Sequence, residues 1–166
     1  MNNRTVRRSN AELLNWLRPA FQEFNRQFFG GELPAYEVRV EFLIDGKAII
    51  QLGNGNYRQL PPLGNDLYGL CLTEDQLIFI DSRCSALEDE GVREVLLHEM
   101  CHAAVFRNAP GPSNSDPHGR EFVAELLRLA ALGEAWADEQ AQYYRTVLTG
   151  QQAKVPLDSW RTARNT

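Results

Sequence analysis

Residues 91–107 read GVREVLLHEMCHAAVFR, and the five residues His98-Glu99-Met100-Cys101-His102 within them organise the rest of the chain. On a helix, residues four apart project from the same face, so His98 and His102 would lie side by side. Two imidazoles in that arrangement bind a divalent metal, most often zinc. Glu99 is rotated by about 100° around the helix axis, which places its carboxylate beside the metal, where it can take a proton from a water molecule.

The residues around this motif have the periodicity of a helix with one buried face. An apolar stripe at helical spacing lies opposite the two histidines and contains Val92, Leu96, Met100 and Ala103. The pattern predicts a helix over residues 91–107 that buries one face and presents the other to a cleft. Cys101 points away from the histidine face, so we interpret it as a small core residue rather than a ligand.

A catalytic zinc site usually has three protein ligands and one position for water. The chain has only three histidines, and the third, His118, follows a loop that is long enough to fold back over the cleft. His118 is therefore the leading candidate for the third ligand to one Zn²⁺ ion per chain. Glu121 and Glu125 are alternative third ligands, and either would give a site of two histidines and one glutamate.

The composition is that of a globular protein of one domain. The chain has 166 residues, of which 43% are hydrophobic and 23% are charged. No apolar run approaches the roughly 18 residues of a membrane span, so we expect no membrane partner. The three cysteines include no C-x-x-C pair, which argues against a zinc ribbon and favours a reducing, cytoplasmic setting.

The charge distribution gives little attraction for nucleic acid. The net charge is −5, so no strong overall field favours a polyanion. The clustered cations lie near the two ends of the chain and are Arg4, Arg7, Arg8, Arg161 and Arg164. We interpret residues 1–9 as a basic N-terminal extension, residues 10–150 as the folded domain, and residues 151–166 as a polar C-terminal tail.

Local signals predict an α+β fold. Ser9 and Glu12 form a capping box that begins a helix, and Gly30-Gly31 ends it. Strict apolar alternation predicts a strand over residues 36–42, further strands are predicted over 48–52, 67–72 and 76–81, and a loop is predicted over 53–66. Asp116-Pro117 predicts the start of a helix over residues 118–132, and a further helix is predicted over 135–148.

Several motifs follow one another in order along the chain. They are Phe24-Asn25-x-x-Phe28-Phe29-x-Gly31-x-Leu33-Pro34, Gly69-x-Cys71, Leu77-Ile78-Phe79-Ile80, Leu96-Leu97-His98-Glu99-Met100-Cys101-His102-Ala103 and Asp116-x-His118-Gly119-x-x-Phe122. Together they resemble the SprT-like zinc metallopeptidases, which include the Spartan-type proteases of proteins crosslinked to DNA. The resemblance covers roughly residues 10–130 and is more specific than H-E-x-x-H alone.

The resemblance implies a compact zincin-like domain with an N-terminal helix, a small mostly antiparallel sheet, an active-site helix and two C-terminal helices. It implies that His98, His102 and His118 are the zinc ligands and that Glu99 is the catalytic base. A substrate peptide would lie along the sheet edge above the zinc, where main-chain pairing gives loose sequence preference. The chain departs from the family in lacking the cysteines of a C-terminal zinc ribbon and in being acidic.

The leading hypothesis is a zinc-dependent endopeptidase whose partner is a protein or peptide substrate. One alternative is a DNA-associated protease of DNA-bound or crosslinked proteins, although we expect this chain to bind DNA weakly at most. Another is a non-catalytic, zinc-stabilised binding module, against which the glutamate of the motif argues. Tyr68, Tyr143 and Tyr144 are candidates for a second donor to the oxyanion, and each is also expected to be a packing aromatic.

Overall fold

The computed structural model describes residues 7–42, 49–52, 54–59, 68–110 and 117–148, and these form the α+β fold predicted from the sequence. The helices are α1 (Asn10–Phe29), α2 (Asp89–Asn108), α3 (Arg120–Ala131) and α4 (Ala135–Leu148). The strands are β1 (Glu37–Glu41), β2 (Ile49–Gln51), β3 (Tyr57–Gln59), β4 (Gly69–Leu72) and β5 (Leu77–Asp81). A short 3₁₀ helix, Ser82–Ala86, connects β5 to the segment before α2.

The main sheet has three strands in the order β1-β5-β4 and is mixed. β1 runs parallel to β5, with Val38 opposite Ile78, and β4 runs antiparallel to β5, with Cys71 opposite the same Ile78. The parallel pairing requires the chain to cross over between β1 and β5, and the intervening residues include the β2–β3 pair and β4. This order leaves β4 at one edge of the described sheet.

β2 and β3 form a separate antiparallel pair, with Ile50 opposite Arg58. β3 falls within residues 53–66, so the prediction of a loop over that whole segment is wrong. The turn between the two strands contains Asn54-Gly55, and Gly55 has a φ of 83°, a conformation that glycine adopts without steric cost. Asn-Gly is a hairpin signal, and the many turn residues around it also fit a loop, so the segment carries two competing signals.

The central strand β5 is buried along its whole length because both faces of the sheet are covered. Ile78 and Ile80 face the large core that α1 and α2 share with the sheet. Leu77 and Phe79 face the opposite way and pack with Ile50 of β2 in a second, smaller core. The β2–β3 pair therefore covers the side of the sheet that the helices leave open, and α2 is held firmly against the other side.

The first helix begins and ends as predicted. Ser9 is the N-cap, with its hydroxyl accepting from the N–H of Glu12 at 3.2 Å and its own N–H donating to the Glu12 carboxylate at 2.7 Å. Gly30 ends the helix in the left-handed conformation, with a φ of 65°. These caps satisfy backbone groups that would otherwise lack partners at the helix ends.

Two arginines of the basic N-terminal extension contact the folded domain. Arg7 donates from Nε to the Ser85 hydroxyl at 3.2 Å, and Arg8 forms an ion pair with Asp89 at the start of α2. Residues 1–6 and 149–166, which include the rest of the predicted extension and the predicted tail, lie outside the described residues. Within the described part of the chain, no helix combines the length and the apolar character needed to cross a bilayer.

Candidate metal centre

The motif lies in the middle of α2, which extends slightly beyond the predicted 91–107. The predicted apolar stripe is fully buried, since Val92, Leu96, Met100 and Ala103 each have 0% exposure. Cys101 is also completely buried, as expected for a core residue. The burial of these side chains fixes the rotation of α2, so the histidine face points away from the sheet-side core toward α3 and α4.

His118 reaches this face from a turn and not from a helix. The prediction that a helix begins at Asp116-Pro117 is wrong, because α3 begins at Arg120 with Gly119 as its N-cap. Pro117 and His118 lie in the turn before it, and Asp116 lies outside the described residues. In a turn, the backbone at His118 is not restricted to helical dihedral angles. The turn places the imidazole of His118 against α2.

The three histidines converge on one point. Their candidate ligand atoms all lie within 4.8 Å of one another, and they form the one group of this kind among the residues described. Nε2 of His98 lies 3.1 Å from Nε2 of His118. Two nitrogens at about 2.0–2.1 Å from a tetrahedral zinc ion would stand roughly 3.3 Å apart. The observed spacing therefore fits a shared metal with little rearrangement.

The two alternative third ligands do not converge with the histidines. The Glu121 side chain is exposed to solvent. Glu125 is paired with Arg128, whose Nη2 lies 2.8 Å from the carboxylate and whose Nε donates to it at 2.9 Å. Neither glutamate belongs to the group of converging side chains, which consists of histidines alone.

Aromatic side chains hold the three imidazoles in place. Phe122 of α3 is 1% exposed, and its ring centroid lies 4.8 Å from that of His98, 4.3 Å from His102 and 4.8 Å from His118. Tyr144 of α4 stacks on His118 with a centroid distance of 4.4 Å and an interplanar angle of 13°. The stacking gives Tyr144 a packing role beside the site.

The other two tyrosines considered as donors also have packing contacts. Tyr143 lies edge-on to Tyr144 with a centroid distance of 5.2 Å. Tyr68 lies under the guanidinium of Arg83, 4.7 Å from the ring centroid. Arg83 is itself held by the buried carboxylate of Asp81 at 2.9 Å.

Burial keeps two of the imidazoles neutral in the metal-free protein. Desolvation lowers the pKa of His118 to about 4. Desolvation also lowers the pKa of His102 well below its usual value, and repulsion from His98 and His118, when these are protonated, adds to this effect. A neutral imidazole presents a lone pair, so His102 and His118 can bind a metal at neutral pH without first losing a proton.

Glu99 is a buried carboxyl group held by an edge strand. It is 5% exposed, and burial raises its pKa to about 8, although a hydrogen bond from the backbone N–H of Cys71 offsets part of the rise. The strand approaches so closely that a Cβ on Gly69 would lie 2.5 Å from Oε1 of Glu99. The Gly69-x-Cys71 motif thus contributes space and a backbone donor to the same carboxyl group. Burial, with a further contribution from the nearby Glu99, raises the pKa of the Cys71 thiol, which stays protonated.

Sequence reasoning missed Gln140 of α4. Its side chain is 3% exposed, and its Oε1 lies 2.8 Å from Nδ1 of His98. Gln140 lies four residues after Trp136 and four before Tyr144, both buried. A polar residue in the middle of an apolar stripe is the signal that could have revealed it.

Comparison with known proteins bears on this arrangement. The model of the SprT-like family matches residues 17–142. The chain belongs to the SprT-like family. The family match spans most of α1, the whole sheet, the three histidines and Gln140. Neither the search of curated proteins nor the search of solved structures gave a match.

Proposed function

We propose that this protein is a zinc-dependent endopeptidase, with His98, His102 and His118 as the zinc ligands and Glu99 as the catalytic base. The observation that carries the proposal is the convergence of three imidazoles within 4.8 Å, directly beside a buried glutamate in the same helix. Membership of the SprT-like family supports a hydrolase of this type. Three nitrogen ligands leave the fourth position of a tetrahedral zinc for water.

Zinc bound at these histidines would supply a water of lowered pKa and polarise the carbonyl of the scissile peptide. The positive charge of zinc bound beside it would favour the ionised form of Glu99, which would accept a proton from the attacking water and later donate it to the leaving nitrogen. The N–H of Cys71 holds the carboxyl group in position for both transfers. Burial of Glu99 keeps bulk water from competing for that proton.

The alternative of a non-catalytic zinc module explains less of the structure. A structural site needs the ligands alone and is usually closed by a fourth protein ligand. The cluster here has three members among the described residues. It also has a desolvated carboxyl group beside it, for which Gly69 leaves room and Cys71 supplies a donor. Burying such a group is costly, and a purely structural site gains nothing from it.

The proposal is tested by metal content and by proteolysis of an unfolded protein substrate. We expect one zinc per purified chain and cleavage that stops on addition of a chelator and returns on addition of zinc. Glu99→Gln keeps the shape and the metal but cannot accept the proton, so its cleavage rate should fall by about 10²–10⁴-fold.

Glu121→Gln is the matched control for the Glu99 variant, because the Glu121 side chain is exposed near the same site. Its zinc content and cleavage rate should equal those of the wild type. Wild-type cleavage by zinc-loaded Glu99→Gln would refute the role of this glutamate. Stoichiometric zinc without cleavage of any unfolded substrate would favour the non-catalytic module.

A further inference from the structure

We propose that Gln140 is a positioning residue that sets the tautomer of His98, so that Nε2 of this histidine presents its lone pair to the metal. The inference rests on the proposed function, since it assigns a role toward the same zinc ion. Its basis is the contact of 2.8 Å between Oε1 of Gln140 and Nδ1 of His98, formed by two side chains that are 3% and 7% exposed.

The direction of this hydrogen bond follows from the chemistry of the two groups. A neutral imidazole carries its proton on one nitrogen and a lone pair on the other. When the amide oxygen of Gln140 accepts from Nδ1–H, Nε2 of His98 is left unprotonated. Nε2 is the atom that lies 3.1 Å from Nε2 of His118, at the centre of the cluster. The opposite tautomer would place a proton where the metal is expected.

The neighbours of Gln140 explain why its side chain is held there. Its helix begins beside Glu134, whose carboxylate accepts from Arg93 of α2 at 2.9 Å and from the indole N–H of Trp136 at 2.9 Å. These bonds fix the start of α4 against α2. Tyr144, one turn after Gln140, stacks on His118. Contacts on both sides of Gln140 therefore fix its distance from His98.

A buried amide without a partner would be destabilising, and the bond between Gln140 and His98 offsets that cost. A hydrogen bond from a ligand imidazole to a second residue orients the ring and raises its basicity, and its loss typically weakens metal binding by about 10–100-fold. Leucine at position 140 would keep the volume and remove the acceptor. Glutamate would restore an acceptor for Nδ1–H.

The first experiment measures the affinity for zinc alone, by competition with a chromophoric chelator, for the full chain. Gln140→Leu should bind zinc about 10–100-fold more weakly than wild type, and Gln140→Glu should bind within a few-fold of wild type or more tightly. Gln142→Leu is the matched control, because Gln142 is an exposed glutamine of the same helix, and its affinity should not change.

The second experiment reads the tautomer directly in the zinc-free wild-type protein, from the ¹⁵N chemical shifts of the His98 ring nitrogens. We expect a protonated Nδ1 and an unprotonated Nε2. This measurement also decides the matter if Gln140→Leu does not fold, which thermal unfolding followed by circular dichroism will show. A protonated Nε2 on His98 in the wild type would overturn the inference.

Different results would refute the zinc-peptidase function and the role of Gln140. A wild-type protein that binds no zinc would refute the proposed function and the inference together. Wild-type zinc binding with equal affinity in folded Gln140→Leu would refute the inference alone. Equal weakening in Gln140→Leu and Gln140→Glu would also refute it, because it would show that packing and not the acceptor matters.

Discussion

Strand β4 approaches the proposed base Glu99 closely at Gly69, and this approach allows a sharp test. Gly69 of β4 is buried, and a Cβ added to it would lie 2.5 Å from Oε1, 2.8 Å from Cγ and 2.9 Å from Cδ of Glu99. Since the Cγ as well as the carboxylate is in the way, rotation of the terminal torsion cannot relieve the overlap. Gly69→Ala must therefore displace the whole side chain of Glu99.

The size of the displacement sets the expected effect. Non-bonded carbon atoms approach to about 3.5 Å, so the carboxyl group must retreat by about 1 Å. A misplacement of that size at a reacting group costs about 10²-fold in rate, or roughly 2.7 kcal/mol in activation free energy. The reduction in rate cannot exceed that caused by complete loss of the base, which is about 10²–10⁴-fold. The histidines are not touched, so the affinity for zinc should stay as in the wild type.

The assay compares initial rates of cleavage of a dye-labelled unfolded protein by zinc-loaded variants whose metal content has been measured. Gly91→Ala is the control, because Gly91 lies in the first turn of α2, the helix that carries the site, and its added Cβ would meet only Leu87, at 3.4 Å. We expect Gly91→Ala to retain the wild-type rate. If Gly69→Ala retained both its zinc and the wild-type rate, the position assigned to Glu99 as base would be wrong.

Three further predictions follow from the site and the charges. His118→Ala should lose most of its zinc affinity while Glu121→Ala keeps it, as measured by chelator competition; the reverse result would refute the three-histidine site. In the zinc-free protein, the folded pKa of Glu99 of about 8 exceeds the ordinary 4.5, so the folded state binds the extra proton and loses stability as pH rises from about 4.5 to 8. The melting temperature of zinc-free Glu99→Gln minus that of zinc-free wild type should therefore be higher at pH 8 than at pH 5. An equal difference at the two pH values would contradict the raised pKa. The protein should bind single- and double-stranded DNA weakly at physiological salt in a titration at several salt concentrations, because its net charge is −5 and two N-terminal arginines contact the domain; submicromolar binding there would instead favour a DNA-tethered protease.

Local features were predictable because they depend on neighbours in the sequence. The capping box at Ser9 and Glu12 involves residues within one helical turn, and the spacing of apolar residues around His98 depends on one face of a single helix. The predicted strand segments located β1, β4 and β5 to within one or two residues. Alternation does not reveal which strands pair, so the parallel partnership of β1 with β5 appeared only in three dimensions.

The errors came from competing local signals and from contacts across the fold. Proline after aspartate is a strong helix start, yet α3 begins three residues later, where Gly119 serves as N-cap and leaves His118 in a turn. Gln140 lies far from His98 in sequence, and only the packing of α4 on α2 brings the two together. The sequence spacing between two metal ligands on one helix is fixed by the helical period. No such spacing relates a ligand to a residue that hydrogen-bonds it from another helix.

The placement of the third histidine links the metal to folding. His98 and His102 lie on α2, and His118 lies on the turn before α3, sixteen residues further along. A metal ion held by all three would act as a staple that closes this segment, offsetting the loop entropy that folding must overcome. Binding only to the folded state would stabilise it by about 4 kcal/mol when free zinc exceeds the dissociation constant 1,000-fold. The supply of zinc in a cell would then set how much of the protein survives quality control, in addition to how much of it is active.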